Sequence, residues 1–398
     1  MAIKDINRNL GPSASQSHTT EAIGHAEDMS EVITNISPEE TKFLSMLPSE
    51  NSETLFFEWM SEHLNPPKVN AHLEDEEYTA EKGGSLQGLQ NHNQYFVNTL
   101  KVTEAQRKVS KVYREKDELA RLMTNRMKEH AHDIEYAIVS NTISRAESGT
   151  TPAMTGGIPY FMKEETLDVT VSTTDGVITA SAAHDMKTGD FVYFDATNMP
   201  TGLKTKTIYY IRLDDTTPAT KFTLYNTLKG AIEKIDAEQV KPSAAGTAVK
   251  IIKNNVISLG GAADYTLDDL NTVMEMVYNR GGNPTKAYMS PAKKRKFSQL
   301  VTASTTINRD MTKGRKLELV ADVIQTDYGT LTAESHRMLP DSSIFIMDTD
   351  YMLLKWFQKT RTFDLPKTGT SDAKRIESWL GLKITAPRAS GAILGIKR

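Results

Sequence analysis

Cysteine is absent from all 398 residues, which excludes disulfides, thiolate nucleophiles and cysteine-held zinc or iron–sulfur centres. Long apolar runs are absent too. Nothing approaches the roughly 18 apolar residues that a membrane-spanning helix requires, and no membrane partner is expected. The first residues, MAIKDINRNLGPSASQSHTT, lack the apolar core of a secretory signal, so the expected site of synthesis and use is a cytoplasm. A basic excess is missing: the net charge is −4, unlike that of a dedicated nucleic-acid binder. Catalytic signatures are missing as well. The chain has no phosphate-loop, GxGxxG or HExxH pattern, and Gly83-Gly84-Ser85-Leu86-Gln87 lacks the last glycine of a nucleophile elbow. Nothing assembles into a catalytic constellation or a cofactor site, so the expectation is a protein without enzymatic activity.

What is present begins with Lys111–Glu147, a stretch without glycine or proline. Leu119, Leu122, Met123, Met127, Ala131, Ile134, Ala137 and Ile138 recur at three- and four-residue steps and predict the buried face of one long helix. Arg121, Arg126, Lys128, Glu129, Asp133 and Glu135 fall between them and predict its polar face. A rod of that length needs a sheet to lie on, and 398 residues imply two or three cores.

Before this helix, residues 1–40 carry two basic residues against seven acidic ones and few large apolar side chains, so they read as an arm with little to bury. TKFLSMLP (41–48) is a compact apolar anchor. Thr54–Met60, TLFFEWM, reads as a strand whose expected partner is Gln94–Thr103, QYFVNTLKVT. The polar connection between them contains Glu74, Asp75, Glu76, Glu77 and Glu81, and predicts a long two-stranded excursion from the body.

Beyond the helix the texture changes. From about 166 to 253 the runs LDVTVS, GVITA, DFVYF, TIYYIRL, KFTLY and VKII alternate with turn residues, which is the pattern of a small all-β module. Helices then resume. Thr266 reads as an N-cap with Leu267, Leu270, Val273, Met274 and Val277 as the buried stripe, and Ser290-Pro291 opens a second helix. A strand at Lys286–Met289 separates the two. KLELVADVIQT, SIFIMD, YMLLKWF and Lys374–Thr385 read as strands, the last with Ile376, Leu380, Leu382 and Ile384 alternating against Arg375, Glu377, Trp379 and Lys383. The fold class is α+β.

Several short patterns invite chemistry and resolve into plainer readings. Leu365-Pro366-Lys367-Thr368-Gly369 matches a sortase signal but is followed by charged residues rather than a membrane span, so a turn between strands is expected. Lys293-Lys294-Arg295-Lys296 reads as the solvated side of a helix. His130 and His132 point about 200° apart on a helix and cannot share a metal. Glu129 and Asp133 share a face, where Arg126 is the simpler partner.

The order of arm, TKFLSMLP anchor, FFEWM strand and acidic excursion, then NHNQYFVNTLKVTEAQRKVSKVYREKDELARLMTNRMKEHAHDIEYAIVSNT and the terminal LPKTGTSDAKRIESWLGLKITAPRASGAILGI, closely resembles the major capsid proteins of tailed bacteriophages with the HK97-like fold. Its specificity rests mainly on Asn93–Glu135 and the Lys367-Thr368-Gly369 turn. The resemblance implies an N-terminal arm (1–52), an E-loop (53–103), a peripheral domain with its spine helix (104–165), an axial domain (256–365) and a C-terminal peripheral-domain strand (366–398). AHDMKTGDFVYF (183–194) with Leu203 and IYYI (208–211) resembles a β-module, Ig-like, of phage structural proteins, which implies an inserted all-β domain at 166–255; the family usually has Gly where this chain has Asp185 or Met186.

As implied by the resemblance, the function is self-assembly into an icosahedral head through hexameric and pentameric capsomers. Scaffold and portal proteins are the implied partners, with packaged DNA held non-specifically. Phe43, Trp59, Glu74, Asp75, Glu76, Glu77, Lys82, Arg114 and Arg121 are the candidate inter-subunit contacts, and Lys68 or Lys82 the candidates for a crosslink to a neighbour's Asn. A tail or baseplate protein and an encapsulin-like compartment shell are the alternatives.

Overall fold

Strand periodicity and helix periodicity meet in this chain at a layered core, which the computed structural model describes for residues 41–64, 85–108, 118–184, 186–304, 323–367 and 369–397, with positions 67, 71 and 74. In chain order the elements are α1 (Lys42–Met46), β1 (Ser49–Asn51), β2 (Phe56–His63), β3 (Ser85–His92), β4 (Gln94–Thr103), α2 (Glu104–Lys108), α3 (Glu118–Ser140) and α4 (Ile158–Phe161). Then come β5 (Thr166–Val171), β6 (Val177–Ala180), β7 (Phe191–Asp195), β8 (Tyr209–Leu213), β9 (Lys221–Tyr225), α5 (Leu228–Glu233), β10 (Gln239–Val240) and β11 (Lys250–Ile252). The last group is β12 (Val256–Ser258), α6 (Leu267–Asn279), β13 (Lys286–Met289), α7 (Pro291–Ser304), β14 (Val323–Thr326), β15 (Gly329–Ser335), β16 (Ile344–Met347), β17 (Met352–Leu365), β18 (Ser371–Ile384) and β19 (Gly391–Leu394).

A six-stranded mixed sheet in the order β12-β19-β16-β13-β15-β14 is covered on both faces. Alternation along β16 shows why: Ile344 and Ile346 pack with Leu270, Val273 and Val277 of α6 and Phe297 of α7, whereas Phe345 and Met347 join Ile134, Ala137 and Ile138 of α3. The second cluster extends to Phe96, Leu354, Leu380, Leu382 and Ile384 of a four-stranded sheet, β1-β17-β18-β4. The C-terminal half of α3 therefore fills the angle between two sheets. Its 23 residues span about 35 Å.

Three expectations are corrected here. The helix ends at Ser140, not Glu147. There the Asn141 amide turns to the Thr155 carbonyl (2.8 Å) and Gln94 Oε1 (3.1 Å), and the Asn141 carbonyl accepts from Gly157 N–H (3.1 Å). Met127, assigned to the buried face, is exposed, and Glu135, assigned to the polar face, is buried. The partner of β2 is β3, not β4: Phe56 lies opposite His92 and Glu62 opposite Leu86. β4 instead runs antiparallel to β18 over ten residue pairs, Ser371–Thr103 to Leu380–Gln94. Burial of Phe96 and Val102 on one side of β4 fixes that register.

Each of the six β-rich runs forms a strand. Pairing proceeds β9-β6-β5-β11-β7-β8 and returns to β9, so the strands close into an antiparallel barrel, with β10 continuing the β6 edge of β9. This closure differs from the two-sheet sandwich of an Ig-like module; it removes the free edges. Asp185 is outside the described residues. Leu167, Ile178, Phe194, Ile211, Phe222 and Leu224 fill the interior. On the outside, Tyr193 and Ile252 belong to the α6–α7 cluster, so barrel and sheet share an apolar seam.

The seam is closed by charge. Thr266 caps α6 in a full capping box with Asp269, and Lys206 from the barrel reaches Asp269 (2.6 Å) and Asp268 (3.1 Å). Burial pushes the Asp269 carboxyl up, but hydrogen bonds from Lys206 and Thr266 outweigh it and hold it below the ordinary value. A carboxylate lowered in the fold contributes stability that is complete above its unfolded value of about 4 and is lost as pH falls through the folded one. Asp269→Asn should therefore lower the melting temperature by a constant amount from pH 5 to 9, a gap that closes below about pH 4. A gap unchanged at pH 2.5 would refute the assignment.

Gly381 on β18 supplies the second test. A Cβ there would lie 2.9 Å from the His92 carbonyl, Asn93 Oδ1 and the Phe57 ring, where the base of the β2–β3 hairpin crosses the sheet. A Cβ at Gly88 would meet only Met60 Sδ at 3.8 Å. In urea unfolding Gly381→Ala is expected to cost about 1–3 kcal/mol, and Gly88→Ala less than about 0.5 kcal/mol. Equal effects would show that the crossing is not tightly packed.

Candidate assembly interface

Two polar centres hold the segments that leave the body. The first is Glu135, fully buried on α3. Its Oε1 and Oε2 accept the Phe43 and Leu44 backbone N–H groups (2.9 Å each), which are otherwise unpaired donors at the start of α1. Oε1 also lies 2.8 Å from His336 Nε2. His336 Nδ1 accepts from Met338 N–H (3.3 Å), so Nε2 carries the proton and donates to Glu135. Phe43 packs on Tyr288 (4.6 Å between ring centroids) and His336 (5.5 Å). Lys42 donates to the Ser335 carbonyl (2.9 Å). The chain thus enters the body at residue 41 through a clamp built on α3 and β15.

The second centre is Asn91, at the hairpin base. Its amide donates to the carbonyls of Leu382 (2.6 Å) and Gly156 (3.0 Å), and its Oδ1 accepts from Gly156 N–H (2.8 Å). Asn93 donates to the Thr54 carbonyl (2.9 Å). A third buried group, His130, joins α3 to both neighbouring strands through Asn98 Oδ1 (2.6 Å) and Ser378 Oγ (2.7 Å), and burial lowers its pKa.

From that base the hairpin presents two faces. Phe57, Trp59 and Leu89 turn toward the body: the Trp59 indole donates to the Ile384 carbonyl (3.1 Å) and lies beside Phe161 (5.9 Å) and the Lys383 ammonium (5.9 Å). Phe56, Met60 and Leu86 form the other face; Met60 is 66% and Leu86 67% exposed. Across the four-stranded sheet, Tyr95 stacks on Trp379 (4.3 Å) and hydrogen-bonds Glu377 (2.6 Å), a bond that holds the Glu377 carboxyl below its ordinary value. Exposed Phe357 and Phe363 continue that surface.

The profile of the SU10 major capsid protein family matches residues 13–397. The chain belongs to this family. As an SU10-type major capsid protein it also shares its fold with solved shells. The capsid asymmetric unit of cyanophage A-1(L) superposes with a TM-score of 0.56 at 12% identity, covering 94% of this chain and 98% of that one. The capsid of a native GTA particle gives 0.52 at 11% identity, covering 97% and 100%. The mature capsid of bacteriophage PhiM1 gives 0.50 at 10%, covering 96% and 97%. No curated protein matches the chain. The fold is the HK97-like capsid fold.

Of the expected contact residues in this capsid protein, Phe43 requires correction: it has no exposed surface, because its ring fills the space between Tyr288 and His336. Trp59 is half-buried against its own subunit, Arg121 is half-buried on α3, and Glu74 is exposed. Asp75, Glu76, Glu77, Lys82, Arg114 and the crosslink candidate Lys68 lie outside the described residues, as does the arm before residue 41. Lys293, expected on a solvated helix face, is buried with its ammonium on Asp264 (3.1 Å) and the Lys397 carbonyl (2.5 Å). Glu129 does pair with Arg126 (2.5 Å). Pattern reading missed Glu135, although it stands four residues after Ala131 and three before Ile138, in step with the buried stripe.

The clamp makes a quantitative claim. Glu135→Ala leaves two backbone N–H groups and the His336 N–H without an acceptor, and should cost about 3–5 kcal/mol in urea unfolding. Glu135→Gln keeps an acceptor and should cost about half as much. Amide exchange at Phe43 and Leu44 should accelerate in both. A cost below about 1 kcal/mol for Glu135→Ala would remove the carboxylate from its role.

Proposed function

We propose that this capsid protein closes into an icosahedral phage head of hexameric and pentameric capsomers without any catalytic step, with the β2–β3 hairpin and the segment before residue 41 overlapping neighbouring subunits. The observation that carries this reading is the hairpin's outward face. Its base is over-determined by hydrogen bonds to its own body, yet Met60 and Leu86 are about two-thirds exposed and Phe56, packed only on its cross-strand neighbour His92 among its aromatic contacts, is 40% exposed. Exposed apolar side chains on a rigidly mounted projection gain area only from another molecule, and a symmetric shell supplies one at every position.

In this reading Glu74, Asp75, Glu76, Glu77, Lys82, Arg114 and Arg121 make contacts between subunits, and Trp59 orients the hairpin to which residues 74–82 belong. The barrel at 166–255 is an inserted domain on the axial domain's flank. Scaffold and portal proteins direct assembly in the host cytoplasm, and the head holds DNA without sequence preference. The family match, rather than the fold, favours a phage head over a bacterial compartment.

Replacing residues 65–84 by Asn-Gly tests the hairpin's part. The two strands and the Asn91 base remain, so the subunit should fold with an unchanged melting temperature. Electron microscopy and sedimentation should show closed shells or capsomers for the wild-type protein and at least a tenfold loss of them for the variant. Shells in normal yield would exclude the segment from assembly.

A further inference from the structure

Where the hairpin, the barrel and the sheet-covering helices come together, a cleft of about 520 Å³ opens. Four basic residues line it, Lys187, Lys253, Arg280 and Arg388, against two acidic ones, Glu165 and Asp190. That local excess of positive charge stands in a chain whose net charge is −4.

Arg280 forms the floor. It follows α6 directly, and its guanidinium lies over the Phe191 ring, 5.0 Å from the centroid. Its Nη1 is inaccessible to solvent and has no hydrogen-bond partner among the described residues. Burial, with the like charge of Arg388 beside it, lowers the Arg280 pKa to about 10; Asp190 and Glu165 act in the opposite direction. A cation desolvated to that extent without a hydrogen-bonded anion is costly, and removal of such a cost is what an incoming carboxylate provides.

We propose that this cleft is a carboxylate seat between subunits, in which Arg280 and Arg388 receive an Asp or Glu side chain of a second copy of this chain. The inference rests on the shell reading above and names one of its contacts. The lip supports a protein occupant. Leu64, 90% exposed, and Leu86 stand at the mouth, so an apolar rim surrounds a charged floor. A covering surface must therefore be apolar around a carboxylate. The phosphates of a DNA duplex are fixed on a broad rod and cannot follow the cleft to its floor, whereas a carboxylate on a side chain can enter it and meet the part of the Arg280 side chain that remains accessible. A guanidinium fork matches a carboxylate in two parallel hydrogen bonds. The chain itself is rich in such groups, including the run Glu74-Asp75-Glu76-Glu77.

The test uses shells assembled from an equal mixture of ¹⁵N-labelled and unlabelled Arg280→Lys subunits. A carbodiimide condenses an amine with an adjacent carboxylate, losing water to form an amide, and mass spectrometry of the digest identifies both residues. Crosslinks from position 280 to an Asp or Glu are expected, with about half of them joining a heavy to a light peptide, the random share for two copies. Crosslinks only within one label, or none at position 280, would overturn the proposal. Arg280→Met provides the second measurement. The isolated subunit should melt within two or three degrees of wild type, while its shells form in at least tenfold lower yield. Shells of normal yield and normal resistance to denaturant would overturn the seat and leave the shell reading intact; a wild-type protein that forms neither shells nor capsomers would overturn both.

Discussion

A single buried carboxylate, that of Glu135, joins three parts of the chain that are far apart in sequence: the start of α1, the C-terminal half of α3 and the residue after β15. Isolated in an apolar interior, that charge would be prohibitively unfavourable, so it requires its donors. Its donors require it as well. The Phe43 and Leu44 N–H groups lie in the first turn of α1, where no preceding helical carbonyl can accept them, and the His336 ring is oriented by Met338 so that its proton points at the carboxylate. Buried polar centres are weak sources of net stability compared with apolar packing, but they admit one arrangement and penalise the others. The registry of α1 on the two-sheet core follows from this, and with it the point from which the preceding segment leaves.

The same division between packing and polar specification recurs at the hairpin base. Apolar burial alone would let β2 and β3 slide, since β3 contributes only Leu86 and Leu89 as large apolar residues. Asn91 prevents it by using both ends of its amide on the backbones of the 156 loop and β18. Gly381 makes the arrangement sterically possible, because the crossing strands approach to within the space of one methyl group. Rigid at its root and apolar on its outer face, the hairpin is mounted rather than merely attached.

What could be read in the sequence follows from which forces leave a periodic trace. The stripe of α3, the alternation in β18 and the six barrel strands are two-colour patterns, and burial of one face writes them directly. The Thr266 capping box and the Pro291 helix start are local chemistry, equally visible. Glu135 was assigned outward because a two-colour pattern counts every carboxylate as solvent-facing; only its spacing against Ala131 and Ile138 argued otherwise. The partner of β2 was misassigned for the converse reason. β3, SLQGLQNH, has weak strand propensity, and its position is set by Asn91, not by an apolar pattern. Lys293, which is buried, and Arg280, half-buried with its Nη1 out of contact with solvent, carry no signal that distinguishes them from exposed helical cations.

The barrel shows how a large module can be joined to the two-sheet core without loosening the subunit. Its entry and exit are adjacent: Lys253 N–H donates to the Glu165 carbonyl (2.9 Å), and the Asn254 amide donates to the Lys163 carbonyl (2.5 Å). Paired strands of chain at one point would by themselves act as a hinge. Tyr193 and Ile252, packed into the α6–α7 cluster, and Lys206, held by the α6 cap, add contacts on the far side of that point. Rotation about the junction would have to expose apolar area and break the half-buried Lys206–Asp269 ion pair at once. The barrel therefore moves with the sheet beneath it, and any load applied to it is delivered to α6 and the two-faced core rather than absorbed at the linker.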